Sequence, residues 1–265
     1  MAAILERDEV CLELRDSVAT VTIERPGLRN AMGLATWRAL RSLVAEAQAD
    51  EAVGVIVVRG SGKHFGAGND ISELGTFPGD PAAALAFAVA MADAMQAVED
   101  ASKPVVMAIE GACYGAALAL ALAGDLRIAS DTAAFAIPAA RLGALYLRSD
   151  LHRLVAAIGP GQSRKLVYSA ETIGATQARH IGLIDEVFPA DRFEPELRRL
   201  IDGILAGSPF TLARTKAMLR DLAQGATPRE TSESLGLFVE ATQGVDFGEG
   251  TSAFLNRRKA RFRRG

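Results

Sequence analysis

Two glycine-bearing turns in this chain can each present a backbone N–H as a hydrogen-bond donor. In KPVVMAIEGACYGAALALALAGDLRIAS, residues 103–130, Gly111 and Gly115 bracket a turn that leads into the apolar run 116–123. The first N–H groups of a helix have no intrahelical acceptor and carry the positive end of its dipole. A second turn, SGKHFGAGNDISEL, is loosened by Gly60, Gly62, Gly66 and Gly68 before Asn69 and Asp70. Asp70 suits the N-cap of the turn that follows. Two donors converging on one carbonyl oxygen make an oxyanion hole. A single glycine pair more often means turn geometry alone; both turns, in order, point to chemistry.

The acid or base beside such a hole is harder to pick. A Tyr146 hydroxyl could bind a carboxylate or protonate a carbanion, although a half-buried aromatic with a satisfied hydroxyl reads as well. Asp150 is most simply the cap of a helix starting at Leu151, with catalytic acid as the alternative. Glu73 and Glu110 flank the two turns, where either could act as a displaced acid. Arg141 and Arg148 could pair with a carboxylate but read more simply as surface arginines. His64, His152 and His180 have no metal-ligand spacing, so no metal site is expected.

These groups need rigid elements behind them. Residues 105–109 are an apolar run suited to a buried strand, as are residues 54–60. Residues 116–123 are almost purely Ala and Leu, the best helix formers. A helix apolar on every side must be buried on every side. Gly124-Asp125 ends it, and residues 126–129 resume a strand. Earlier, residues 11–24 alternate around Asp16-Ser17 as a hairpin does. Residues 32–49 form an amphipathic helix with Leu34, Trp37, Leu40, Leu43 and Val44 on one face, and residues 82–98 a long Ala-rich helix. This alternation predicts a mostly parallel sheet. From Ser149 helical patterns follow one another, over 151–158, 162–168, 176–181, 192–205, 209–222 and 228–242, with a strand only at 184–188. The expected organisation is an α/β core over 1–190 and a helical region over 191–265.

Composition agrees with a folded, soluble domain. Of 265 residues 49% are hydrophobic, which supports a sizeable core and excludes disorder. A net charge of −3 gives no general drive toward nucleic acid or anionic membrane. The exception is the basic tail, with Arg257, Arg258, Lys259, Arg261, Arg263 and Arg264, either a solvated end or a phosphate binder. Two cysteines, Cys11 and Cys113, make no disulfide framework. Charges at Glu6, Arg7, Asp8 and Glu9 interrupt any signal peptide, and the longest uncharged stretch, 111–124, is too short for a bilayer. A cytoplasmic location is expected.

Six pieces in order carry a family resemblance: ERPGLRNAM, HFGAGNDISEL, the 103–130 stretch, AAFAIPAARLGAL, GATQARHIGLIDEVFP and EGTSAFLNRRKARF. Over nearly its whole length the chain resembles the enoyl-CoA hydratase/isomerase (crotonase) superfamily. The resemblance implies an α/β crotonase-like spiral core of (ββα) repeats, a helical C-terminal trimerisation region, and a homotrimer or hexamer. It implies an acyl-CoA thioester as substrate, no permanently bound cofactor, and an oxyanion hole that stabilises an enolate. Asn69 and Ala116 match the residues giving the two N–H donors. Ala67 and Gly68 lie where the family's loop touches the CoA adenine, with Asp70 and Gly115 beside them in the CoA-binding turns. Arg29, Phe254 and Arg257 match positions that contact CoA phosphates or adenine.

The chain also departs from its family. The two glutamates by which hydratases activate water match Ala119 and Ala139, and the single acid of many isomerases falls on Leu147. Ordinary paired-carboxylate hydration is therefore not expected. Tyr146 matches a tyrosine of methylmalonyl-CoA decarboxylase-like members, whereas Asn69 stands where those carry a histidine. Three readings stay open: a hydratase/isomerase with an unusual acid, a malonyl-type acyl-CoA decarboxylase using Tyr146, and a non-catalytic acyl-CoA binder. A carboxylate within reach of the oxyanion pocket favours the first. Tyr146 or an arginine aimed at the substrate α-position favours the second, and a pocket without ionisable groups the third.

Overall fold

The computed structural model describes residues 3–262. Three antiparallel strands open the chain: β1 (Ala3–Arg7), β2 (Val10–Arg15) and β3 (Val18–Ile23). Two-residue turns join them, with Asp8, Glu9, Asp16 and Ser17 all at positive φ. That is the turn geometry whose twist matches paired antiparallel strands. The hairpin at Asp16-Ser17 is the expected one. β1 was not anticipated, since its ladder carries little alternation of its own.

α1 (Leu34–Ala49) leads to β4 (Val55–Gly60), the short α2 (Ile71–Leu74), α3 (Pro81–Asp100) and β5 (Val105–Ile109). Between Gly111 and Gly115 the chain forms not a simple turn but a strand, β6 (Ala112–Tyr114). Then follow α4 (Ala116–Ala123), β7 (Leu126–Ser130), β8 (Ala134–Ala136), α5 (Ala139–Leu142), α6 (Arg148–Ser169), β9 (Ile173–Gly174), α7 (Ala175–His180) and β10 (Glu186–Phe188). The helices α8 (Phe193–Leu205), α9 (Pro209–Ala223), α10 (Ser232–Gln243) and α11 (Val245–Leu255) complete it.

The main sheet runs β1-β2-β3-β4-β5-β7-β10, parallel from β3 onward. Its central strands are buried on both faces, which explains their unbroken apolar runs. Val55, Val57, Val106, Ala108 and Ile128 face Phe193, Leu197 and Ile201 of α8. Ile56, Val58, Val105 and Met107 face the other way, into a larger core with Trp37, Leu40 and Leu43 of α1, Met95 of α3 and all of α4. β6, β8 and β9 form a second, small sheet.

All eight residues of α4 are buried, as an all-apolar helix requires. α3 is long and apolar enough to cross a bilayer by length and composition. Its face with Phe87, Ala90, Met91, Ala94, Met95 and Val98 lies in the core instead. The two helices expected at 151–158 and 162–168 are present as the two halves of α6, separated where Gly159 adopts the non-helical φ 71 and ψ 166. Pro160 follows directly, so the second half starts with the residue that suits a first helical turn.

Candidate active site

Main-chain hydrogen bonds lock the 66–70 loop in place. The Gly66 N–H donates to the Ala112 carbonyl, and the Tyr114 N–H to that of Gly66, tying the loop to β6. On the other side Ala67 N–H donates to Arg29, Met32 N–H to Gly68, and Asp70 N–H to Met32. Neither the Asn69 N–H nor the Ala116 N–H donates to any group among the described residues.

Glycine at 68 makes the two turns meet. Gly68 has φ +100, and a Cβ there would lie 2.9 Å from the Tyr114 carbonyl oxygen and 3.3 Å from the Ala116 nitrogen. The loop backbone thus passes directly over the start of α4, an approach that any side chain would block. Gly115, at φ 53, donates its N–H to Ala136 and turns the chain into the helix.

An open cleft lies over this junction. It gathers Ala67, Gly68, Asn69, Gly115, Ala116, Tyr146 and Asp150. Ile71, Leu74, Met91, Leu142 and Leu145 add apolar walls that the sequence reading missed, because they come from four separate elements and loops. Asn69 offers this cleft only its backbone. Its Oδ1 accepts from the Trp37 indole at 3.1 Å, and its Nδ2 points at the Met91 sulfur.

Asp150 is not the cap of a helix that starts at Leu151. α6 begins at Arg148, with Leu147 as N-cap, and Asp150 is the third residue of the first turn. Asp150 is 2% exposed and pairs with Arg153, Oδ1 to Nη1 3.1 Å. Burial pushes its pKa up to about 6, against the opposing pull of Arg153 and the Leu147 N–H. A carboxyl poised there can both take and return a proton near neutral pH.

Tyr146 donates its hydroxyl to the Gly115 carbonyl. Burial first, and then nearby Asp150, raise its pKa well above the ordinary phenol value, so it stays protonated. Of the three residues that the resemblance matches to the family's acids, Ala139 lines the cleft, Ala119 is buried inside α4, and Leu147 is the N-cap of α6.

Other candidates are engaged elsewhere. Glu73 accepts the Leu34 N–H at the start of α1, Glu110 pairs with Arg59, and neither lines the cleft. Asp70 caps α2 through the Ser72 N–H and pairs with Arg25 at 3.0 Å. The Ser72 bonds, chiefly, and Arg25 hold its pKa below the usual value. His64 accepts the Ala112 N–H on Nδ1. Arg141 reaches the Ser169 carbonyl, and neither it nor Arg148 lines the cleft. Nor do Arg29, Phe254 and Arg257; Phe254 sits at a separate apolar groove with Phe210, Phe247 and Phe262. Arg258 is held by Glu249, and Arg263 and Arg264 lie outside the described residues.

The model of the family described as enoyl-CoA hydratase/isomerase matches residues 13–265. The chain belongs to the enoyl-CoA hydratase/isomerase family. It is 30% identical to the crotonyl-CoA hydratase of Syntrophomonas wolfei over 256 residues, covering 96% of this chain and 98% of that one. It is 30% identical to the peroxisomal Δ(3,5)-Δ(2,4)-dienoyl-CoA isomerase of Arabidopsis thaliana, covering 93% and 92%. Among solved structures, an enoyl-CoA hydratase/isomerase family protein from Hyphomonas neptunium superposes with a TM-score of 0.92 at 36% identity, covering 97% of this chain and 98% of its own. The α/β fold is therefore crotonase-like, and acyl-CoA thioesters are the substrate class that fits the family.

Proposed function

We propose that this protein is an enoyl-CoA isomerase that uses one carboxylate, Asp150, opposite an oxyanion hole made by the N–H groups of Asn69 and Ala116. The observation that carries this reading is the placement of buried Asp150 in the same cleft as two unengaged backbone donors. In a 3-enoyl thioester, Asp150 takes a proton from Cα, and the electron pair moves onto the thioester oxygen. The two N–H groups bind that oxyanion, worth about 3–4 kcal/mol per donor in comparable sites. The dienolate collapses back, Cγ takes the proton from the Asp150 carboxyl, and the double bond lies between Cα and Cβ. One base moves one proton, and no water enters.

Hydration would need a held and activated water, and Ala119 and Ala139 offer no acceptor for it. Decarboxylation by Tyr146 fits less well: its hydroxyl hydrogen already goes to Gly115, and an Asp150 carboxylate nearby would repel a substrate carboxylate. A non-catalytic acyl-CoA binder would have no reason to bury a carboxyl in the cleft at a cost in solvation.

CoA arrives as part of the substrate, with no permanently bound cofactor. Arg29, Phe254 and Arg257 are the proposed contacts for its phosphates and adenine. The proposed state is a homotrimer or hexamer, because α9, α10 and α11 leave Leu219, Phe238, Val239, Val245, Phe254 and Leu255 more than half exposed. Assaying crotonyl-CoA, a 3-enoyl-CoA and methylmalonyl-CoA side by side tests the reading: only the 3-enoyl-CoA should turn over.

A further inference from the structure

Behind Asp150 lies a second carboxylate that the cleft does not contain. Arg153, 9% exposed, bridges α6 to the end of α3. Its Nε donates to Glu99 Oε2 at 3.0 Å, and its Nη2 donates to the same oxygen. Only Nη1 is left for Asp150, at 3.1 Å. Glu99 thus takes two of the guanidinium's donors on one oxygen, while Asp150 has a single charge-assisted bond.

Other charges around the pair are few. Tyr146 and, beyond it, buried Cys113 stand on the cleft side. Lys216 of α9 reaches Glu99 from the far side electrostatically while bound to Asp125 at 2.8 Å. α4, which packs on α6, carries no charge.

We propose that Glu99 and Arg153 are positioning residues that act through Asp150: Glu99 claims most of the guanidinium, so Arg153 fixes the Asp150 carboxylate at the cleft wall without fully neutralising it. A carboxylate gripped by a whole guanidinium would be a poor base, and one with no cation would stay protonated. This inference rests on the reading of Asp150 as the proton carrier.

Two variants should move Asp150 in opposite directions. Glu99→Gln keeps an acceptor for Arg153 but removes the competing charge, so Asp150 should titrate lower, by about one pH unit. Arg153→Met removes the cation, so Asp150 should titrate higher, by about one unit or more. The readout is the infrared carboxyl C=O band of the full-length protein followed against pH, assigned by its loss in Asp150→Asn. A structural role alone would leave the midpoint of the folded variants in place. An unchanged or raised midpoint in Glu99→Gln overturns the proposal, even if Arg153→Met does not fold. The acid limb of kcat/KM for a 3-enoyl-CoA should shift with the band. Band shifts of the expected sign in a protein that does not turn over the 3-enoyl-CoA would support the tuning and sink the isomerase reading, so the two failures are distinguishable.

Discussion

Tyr146 donates its hydroxyl to the Gly115 carbonyl at 2.5 Å, and that carbonyl also accepts the Leu118 and Ala119 N–H groups of the first turn of α4. One oxygen therefore ties the 146 loop to the turn that presents the Ala116 N–H. Tyr146 thereby braces the turn that carries the proposed oxyanion donor.

Tyr146→Phe should accordingly weaken catalysis without abolishing it. Losing one hydrogen bond of about 1 kcal/mol corresponds to roughly a five- to tenfold fall in kcat. KM should change little, because no CoA contact is removed. Steady-state kinetics on a 3-enoyl-CoA check this; complete inactivation would make Tyr146 the proton carrier instead.

Gly68 should tolerate no side chain. At φ +100, with a Cβ 2.9 Å from the Tyr114 carbonyl, Gly68→Ala should cost about 1–3 kcal/mol of stability. It should also displace the Asn69 N–H from the Ala116 N–H. Thermal unfolding measures the first effect and kcat the second, and activity should fall further than stability alone explains.

Asp150 should make the fold more stable in acid than at neutral pH. Its folded pKa, about 6, lies above the ordinary value of 3.8. The neutral form is favoured in the fold, so this contribution is fully present below pH 3.8 and is lost as pH rises through 6. The full span is on the order of 3 kcal/mol, at 1.36 kcal/mol per unit. Asp150→Asn should remove this slope, read from denaturant unfolding at pH 4 to 7.5 in both proteins. An identical slope in the two would mean that Asp150 ionises as freely folded as unfolded.

Crotonyl-CoA hydration should be negligible. With Ala119 and Ala139 at the positions proposed for the paired glutamates, about 10²–10⁴-fold of acid–base catalysis should be missing relative to a paired-glutamate hydratase. Direct comparison with such an enzyme at equal concentration measures the deficit.

Much of this architecture can be read from local chemistry. The Ala/Leu run of α4, the Asp16-Ser17 hairpin and the glycines at 68 and 115 are each decided by residues next to one another, so these backbone elements are legible in the sequence. What was not legible depends on where a helix starts. Asp150 reads first as a cap, with catalytic acid as the alternative, when α6 is taken to begin at Leu151. One more turn, begun at Arg148, rotates it into the cleft and buries it. Arg153 and Glu99 are separated by 54 residues and carry no sequence signal for their meeting. Glu73 reads as a possible displaced acid in the sequence, whereas the fold sets it beside the Leu34 N–H of α1 and outside the cleft.

The central claim is that Asp150 carries the proton across the face of an oxyanion-bound enolate. The most direct test is a 3-enoyl-CoA incubated in D2O with the native protein and with Asp150→Asn, followed by NMR of the acyl chain. The account predicts conversion to the 2-enoyl-CoA by the native protein, with no 3-hydroxyacyl product and deuterium confined to Cα and Cγ. It predicts a fall of about 10²–10⁴-fold in Asp150→Asn. Undiminished isomerisation by Asp150→Asn, or a 3-hydroxyacyl-CoA as the main product of the native protein, would contradict it.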